Sequence, residues 1–205
     1  MGPVYALCGL RLIDLSKTLD PATESRRCHL IRYNTGGPIP DFHTALDLTS
    51  HLGTHCECPY HHFEDGASVG ELPLTTFMGR AIYVTLDLPE NAQITGADLE
   101  KALGDRVKPG DIVLLDSPHK IPPFTPATNG PTDHRLVIGE DSEANVKPFH
   151  DILMAKNIVF LEVLKNLEYL EKDTFCMAYA PLPILGADSC PVRAFAIEGL
   201  PGFGA

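Results

Sequence analysis

The chain has 205 residues, 44% hydrophobic and 21% charged, a globular balance that excludes wholesale disorder and lets one domain over residues 1–205 bury a sizeable core. A formal net charge of −11 disfavours non-specific nucleic-acid binding and docking on an anionic membrane surface, which need clustered Lys and Arg. No apolar run is long enough to span a bilayer, and the Met1-Gly-Pro start lacks the basic region of a secretory signal, so a cytoplasmic protein is expected.

In chain order, residues 10–15 (Leu-Arg-Leu-Ile-Asp-Leu) read as a first strand, stopped by Ser16 and the Asp20-Pro21 turn signal. Residues 21–41 are polar and punctuated by Gly and Pro, with a possible short strand at 30–33. Residues 41–50 lead straight into a His-rich strand. After a turn at 63–66, residues 69–77 read as a short helix or irregular run, and 79–88 as a strand rich in β-branched and aromatic residues. A helix-start signal at Thr95 opens a helix to Leu103, and a turn at Pro109-Gly-Asp111 precedes a short buried strand at 112–115. Residues 117–133 hold five prolines and no periodicity, the pattern of a long loop that is either a lid or a solvent-exposed insertion. Beyond it come a strand at 135–138, a helix at 143–154, a strand at 157–163 and a short helix at 164–170. A Pro-interrupted loop or edge at 177–185 and a final strand at 192–197 close the chain. Alternating strands and helices in the second half place the chain in the α/β class.

The most informative stretch is His51-Leu-Gly-Thr-His55-Cys-Glu57-Cys-Pro-Tyr-His61-His62. His51, His55, Glu57 and His61 fall at odd positions, and an extended strand would gather them on one face while turning Cys56, Cys58 and Tyr60 towards a core. A helix would instead pair His51 with His55, but Gly53, Thr54 and Pro59 disfavour a helix interior. Imidazole and carboxylate are what a catalytic zinc or manganese ion takes from a protein. The competing reading makes Cys56-x-Cys58 a thiolate ligand pair or a redox pair. No second Cys pair lies at zinc-ribbon spacing, and C-x-C is not the C-x-x-C redox motif. The six scattered cysteines fit reduced thiols. Farther on, His150 and Glu162 are distant candidate partners of the cluster. Glu162 lies in an apolar run where a carboxylate is costly unless paired, hydrogen-bonded or metal-bound. Arg193 could grip a substrate carboxylate or simply pair with an acid.

These residues resemble the cyclase family of metal-dependent hydrolases, which includes bacterial kynurenine formamidase and isatin hydrolase. Its motif H-x-G-T-H-x-D-x-P-x-H is matched at His51, Gly53, Thr54, His55, Pro59 and His61, and the likeness continues at Phe63, Asp65 and Gly66. Ile13-Asp-Leu-Ser16, His150 with Glu162 and Asn166-Leu167, and the segment from Gly186 to Arg193 extend it over most of the chain. The resemblance implies a compact α/β fold around a barrel-like mixed sheet with flanking helices, in a homodimer or larger homo-oligomer. It also implies two divalent ions per chain, zinc or manganese. His51, His55 and the acid at position 57 would hold the first ion, and the same acid with His150 and Glu162 the second, with His61 as proton shuttle. The implied activity is hydrolysis of a small-molecule amide, arylformamidase-like on N-formylkynurenine. Hydrolysis of a cyclic amide or lactone, or non-catalytic binding of a metal or metabolite, are the alternatives. One position departs from the motif: Glu57 stands where the family has Asp, about 1.5 Å longer by one bond. His62 stands where Phe is common and is expected to support the site, not to ligate.

Overall fold

A computed structural model describes residues 2–39, 41–87, 95–116 and 150–204. Its strands, in chain order, are β1 (Val4–Leu7), β2 (Leu10–Asp14), β3 (Cys28–Asn34), β4 (Phe42–Leu48), β5 (His55–Glu57), β6 (Met78–Thr85), β7 (Ile112–Asp116), β8 (Phe160–Glu162), β9 (Thr174–Ala178), β10 (Ser189–Pro191) and β11 (Phe195–Glu198). Six of them form a sheet in the order β1-β2-β11-β9-β6-β7. Every pairing in it is antiparallel except β6 with β7. That parallel pair is joined across helix α1 (Gly96–Leu103), because parallel neighbours need a crossover and not a tight turn. Thr95 caps α1 as expected: its hydroxyl accepts from the Asp98 amide, and the Asp98 side chain accepts from the Thr95 amide.

The six-stranded sheet leaves β1 and β7 as its edges. Among the described residues it is an open mixed sheet with no closed barrel. Several local expectations need correction. Strand β1 went unread; it turns back into β2 through Cys8 and Gly9, both at positive φ, the geometry of a tight two-residue hairpin. The 177–185 region was read as loop or edge from its prolines, yet Met177 and Ala178 end β9, a buried central strand that stops short of Pro181. The strand expected at 192–197 narrows to β11 (Phe195–Glu198), and β10 just before it (Ser189–Pro191), which serves the other sheet, carried no strand expectation. The strand expected at 157–163 shortens to β8, and the helix expected at 164–170 to a 3-10 turn at Leu167–Tyr169. The loop at 117–133 and the strand at 135–138 lie outside the described residues. Of the helix expected at 143–154, residues 150–154 are described and helical.

A second sheet runs β10-β5-β8, and β3 pairs with β4 as a separate ribbon. The core joins the two larger sheets: Cys56, Cys58 and Cys190 from the small one pack with Ile13, Phe175, Met177 and Ala196 from the large one. Fully burying a side chain such as Phe175 stabilises by about 1.5–3 kcal/mol. The face of β5 turned away from this core is the one that carries the histidines. No helix among the described residues is long and apolar enough to cross a membrane.

Candidate metal centre

Strand β5 is only three residues long, so alternation places His55 and Glu57 on one face and Cys56 on the other. It sits between two partners, with His55 directly opposite Glu162 on β8 and Glu57 opposite Ser189 on β10. The pleat therefore brings Glu162 to the same face, and its Oε2 lies 3.7 Å from His55 Nε2. His51 and His61 reach that face by turns and not, as expected, along one extended strand. Before β5, Gly53 adopts φ +58, and a Cβ there would come within 2.5 Å of Leu19 Cδ2, so glycine suits the left-handed turn that brings His51 back. After β5, Pro59 opens a single 3-10 turn ending at His61. Gly66 lies so close beneath it that a Cβ would meet the Pro59 carbonyl carbon at 2.5 Å. This turn also rotates Tyr60 outward to 39% exposure, where a continued strand would have buried it.

Glu57 is the centre of the arrangement and is 4% exposed. Its Oε1 accepts from His51 Nδ1 at 2.7 Å and faces His55 Nε2 at 3.2 Å. Its Oε2 faces His150 Nε2 at 3.3 Å and His61 Nε2 at 3.9 Å. Neither approach supplies Oε2 with a hydrogen bond, which leaves a buried carboxylate oxygen unsatisfied. Burial by itself would raise the Glu57 carboxyl, but the surrounding imidazoles, His150 and His51 foremost, outweigh it and hold the group well below the ordinary carboxylate range. For His51 burial pulls the pKa down, and the bonds and charges of Glu57 and Asp188 reverse this and raise it.

The donor set fits divalent cations. His55 Nδ1 donates to the Gly53 carbonyl at 2.7 Å, so in the neutral ring Nε2 carries a lone pair. That lone pair points at two carboxylates, a repulsive arrangement that a cation between them would convert into attraction. Among the described residues, donor atoms within 4.8 Å of one another form three groups: His51-His55-Glu57, Glu57-His150-Glu162 and His51-His61-Asp188. Glu57 belongs to two of them. Despite its extra methylene relative to Asp, its carboxylate lies between these two groups of potential donor atoms.

The structure thus brings together all six residues singled out from the sequence: His51, His55, Glu57, His61, His150 and Glu162. His62 lies beside them. It stacks on the His150 ring at 4.7 Å, and its Nδ1 is 3.1 Å from Asp151 Oδ1. Cys56 and Cys58 are packed in the core, away from the face that carries His55 and Glu57, which speaks against the thiolate-ligand and redox readings; burial also pushes the Cys56 thiol up to about 12. Arg193 pairs with Asp14 through both Nε, at 3.0 Å, and its terminal nitrogen. Asp188 is the residue that sequence reasoning missed. It belongs to the family-like segment from Gly186 to Arg193, and an acid between a glycine and a short strand is its signal in the sequence.

Comparison with known proteins gives the family and the fold. The family model described as Putative cyclase matches residues 13–136, more than half of the chain. The chain belongs to the cyclase family. It is 29% identical to a kynurenine formamidase of Salinibacter ruber over 210 residues, covering 90% of this chain and 96% of that one. A second kynurenine formamidase, from Paracidovorax citrulli, is 28% identical over 74% of this chain and 77% of its own length. Among solved structures, isatin hydrolase A of Labrenzia aggregata superposes with a TM-score of 0.66 at 19% identity, covering 92% of this chain and 93% of that one. A potential metal-dependent hydrolase with cyclase activity gives a TM-score of 0.68 at 21% identity, over 94% of this chain and all of that one. This cyclase-family member therefore shares the fold of both.

Proposed function

We propose that the chain is a metal-dependent hydrolase of a small amide-type bond, arylformamidase-like, with N-formylkynurenine as the first substrate to try. The observation that carries the reading is the buried carboxylate of Glu57, whose two oxygens face four imidazoles while one of them makes no hydrogen bond. In this reading His51, His55 and Glu57 hold one divalent ion, and Glu57, His150 and Glu162 a second, zinc or manganese. Such ions supply Lewis acidity and draw the pKa of water down towards neutrality.

The chain's own residues do the remaining work. His61 is 30% exposed, which leaves its ring within reach of a substrate. Its Nδ1 lies 3.2 Å from Asp188 Oδ2, an acceptor, so in the neutral ring Nε2 holds the lone pair and faces the centre. Nε2 takes a proton from the attacking water and returns it to the departing nitrogen, the two halves of general base and general acid catalysis. The kinship with kynurenine formamidases at 28–29% identity supports an aryl formamide as substrate. The shared fold with isatin hydrolases makes a cyclic amide or lactone the second arm of a screen.

The test is elemental analysis of the purified chain, followed by hydrolysis assays on aryl formamides, isatin and lactones with and without chelator. Two equivalents of metal and chelator-sensitive turnover are expected. Bound metal without turnover on any of these substrates would make the chain a metal or metabolite binder. No metal after reconstitution would overturn the reading altogether.

A further inference from the structure

Asp188 makes contacts beyond the one to His61 that the proton-shuttle role uses. A single oxygen, Oδ2, lies 2.7 Å from His51 Nε2 and 3.2 Å from His61 Nδ1. The other oxygen, Oδ1, accepts from the Ser50 hydroxyl at 3.0 Å. The backbone on either side is also pinned: the Asp188 carbonyl accepts from the Cys58 amide at 3.0 Å, and the neighbouring Ser189 hydroxyl donates to the Ser50 carbonyl at 3.1 Å. Gly186, at φ +75, makes the turn that delivers this acid to the head of β10. The carboxylate is therefore held from both ends, and its shared oxygen is aimed at two rings with different tasks.

We propose that Asp188 is the positioning residue of this centre: through one carboxylate oxygen it keeps a proton on His51 Nε2 and on His61 Nδ1, so that when an ion displaces the Nδ1 proton that His51 gives to Glu57, His51 would offer Nδ1 as its ligating atom, while His61 presents Nε2. An ionised carboxylate only accepts, so each ring nitrogen facing it must donate. The remaining nitrogens are those at 2.7 Å and 3.9 Å from the Glu57 carboxylate. One acid thereby fixes the ligating atom of His51 and the proton-accepting atom of His61. Carboxylates behind metal-bound histidines set ring orientation in this way, and their loss costs about 10–100-fold in metal affinity or activity. Here the same oxygen extends that control to a ring that moves the proton.

The inference rests on the ligand and shuttle roles given to His51 and His61, so its test includes a readout independent of turnover. Long-range 1H–15N correlation spectra of the histidine rings are recorded on the full-length chain loaded with Zn(II), which is diamagnetic. The expected spectra show His61 protonated at Nδ1 and His51 at Nε2. Asp188→Ala should spread His61 over both tautomers and lower kcat about 10–100-fold with little change in KM. Asp188→Asn should restore the His61 tautomer, because its amide oxygen can occupy the shared position while its NH2 donates to the Ser50 hydroxyl. If Asp188→Ala fails to fold, the wild-type and Asp188→Asn spectra still decide. His61 protonated at Nε2 in the wild type, or an Asp188→Ala variant with tautomer and kcat unchanged, would overturn the proposal. So would a third equivalent of zinc with Nδ1 of His61 deprotonated, since an ion would then lie among His51, His61 and Asp188. Absence of turnover on every amide and lactone would remove the hydrolase reading alone, leaving the ring spectra to decide this one.

Discussion

Replacing Glu57 with Gln removes one negative charge while keeping the length and nearly the volume of the side chain. In the metal-free chain the principal loss is the charge-assisted bond to His51 at 2.7 Å, worth about 1.5–3 kcal/mol. The loss is capped because His51, once its carboxylate partner is gone, can shed its proton near neutral pH instead of remaining an uncompensated buried charge. A net cost of about 2 kcal/mol would lower Tm by about 4–8 °C in a domain of this size. The metal-loaded chain should respond far more. An ion present at a thousand times its Kd stabilises by about 4 kcal/mol, or roughly 8–16 °C on the same scale. Glu57 belongs to both ligand groups, so a neutral amide in its place should empty both. The assay is thermal denaturation with and without chelator, alongside metal content by mass spectrometry. The wild type should show a large chelator-induced drop in Tm, and Glu57→Gln almost none. If Glu57→Gln retains two equivalents and the full chelator effect, Glu57 is not the shared ligand and the reasoning from its unsatisfied oxygen fails. One retained equivalent would place it on a single ion.

His61→Ala should lower kcat by about 10²–10⁴-fold with metal content unchanged, the range for loss of a general acid–base group; an equal loss of metal would make His61 a ligand instead. Metal uptake should strengthen with rising pH. The folded-state pKa of His51 is raised above 6.5, so its protonation stabilises the metal-free chain fully below about pH 6.5, and that stability is lost as pH rises through the folded value. An ion must displace this proton, so calorimetry in buffers of different ionisation enthalpy should detect proton release between about pH 6 and 7; an affinity flat with pH would count against His51 as a ligand. Native thiol labelling at pH 8 should modify Cys8 quickly and the other five cysteines slowly, because Cys8 is exposed and the rest are buried, with the Cys56 thiol pushed up to about 12. Fast modification of Cys56 would show that β5 is not packed on the core as described.

Much of the centre was legible because its residues carry chemistry that is costly to place elsewhere. Histidine and glutamate at alternate positions, with Gly53 between them, have few uses on a buried strand other than metal binding or proton transfer. The i, i+2 relation of His55 and Glu57 survived in β5 even though the strand proved only three residues long. His51 and His61 converge for a reason the alternating pattern did not contain. The left-handed turn at Gly53 and the 3-10 turn from Pro59 bend the chain around Glu57, and neither bend has a two-residue period. Prolines at 181 and 183 misled the reading of β9, because a proline marks where a ladder can end and not where the preceding strand begins.

The sequence by itself determined the ligand types, the Thr95 cap, the strands β2, β6 and β7, and the family to which the chain belongs. These depend on side-chain chemistry, local periodicity and close spacing, all of which are written along the chain. Tertiary structure alone decided that the six-stranded sheet stays open among the described residues, that β10 and β11 part company, and that Glu162 lies opposite His55. It also decided that Asp188, 137 residues beyond His51, shares one oxygen between His51 and His61. Contacts of that kind follow from strand register and chain closure over long separations. Local patterns leave such pairings undetermined until the burial of the whole core selects one register.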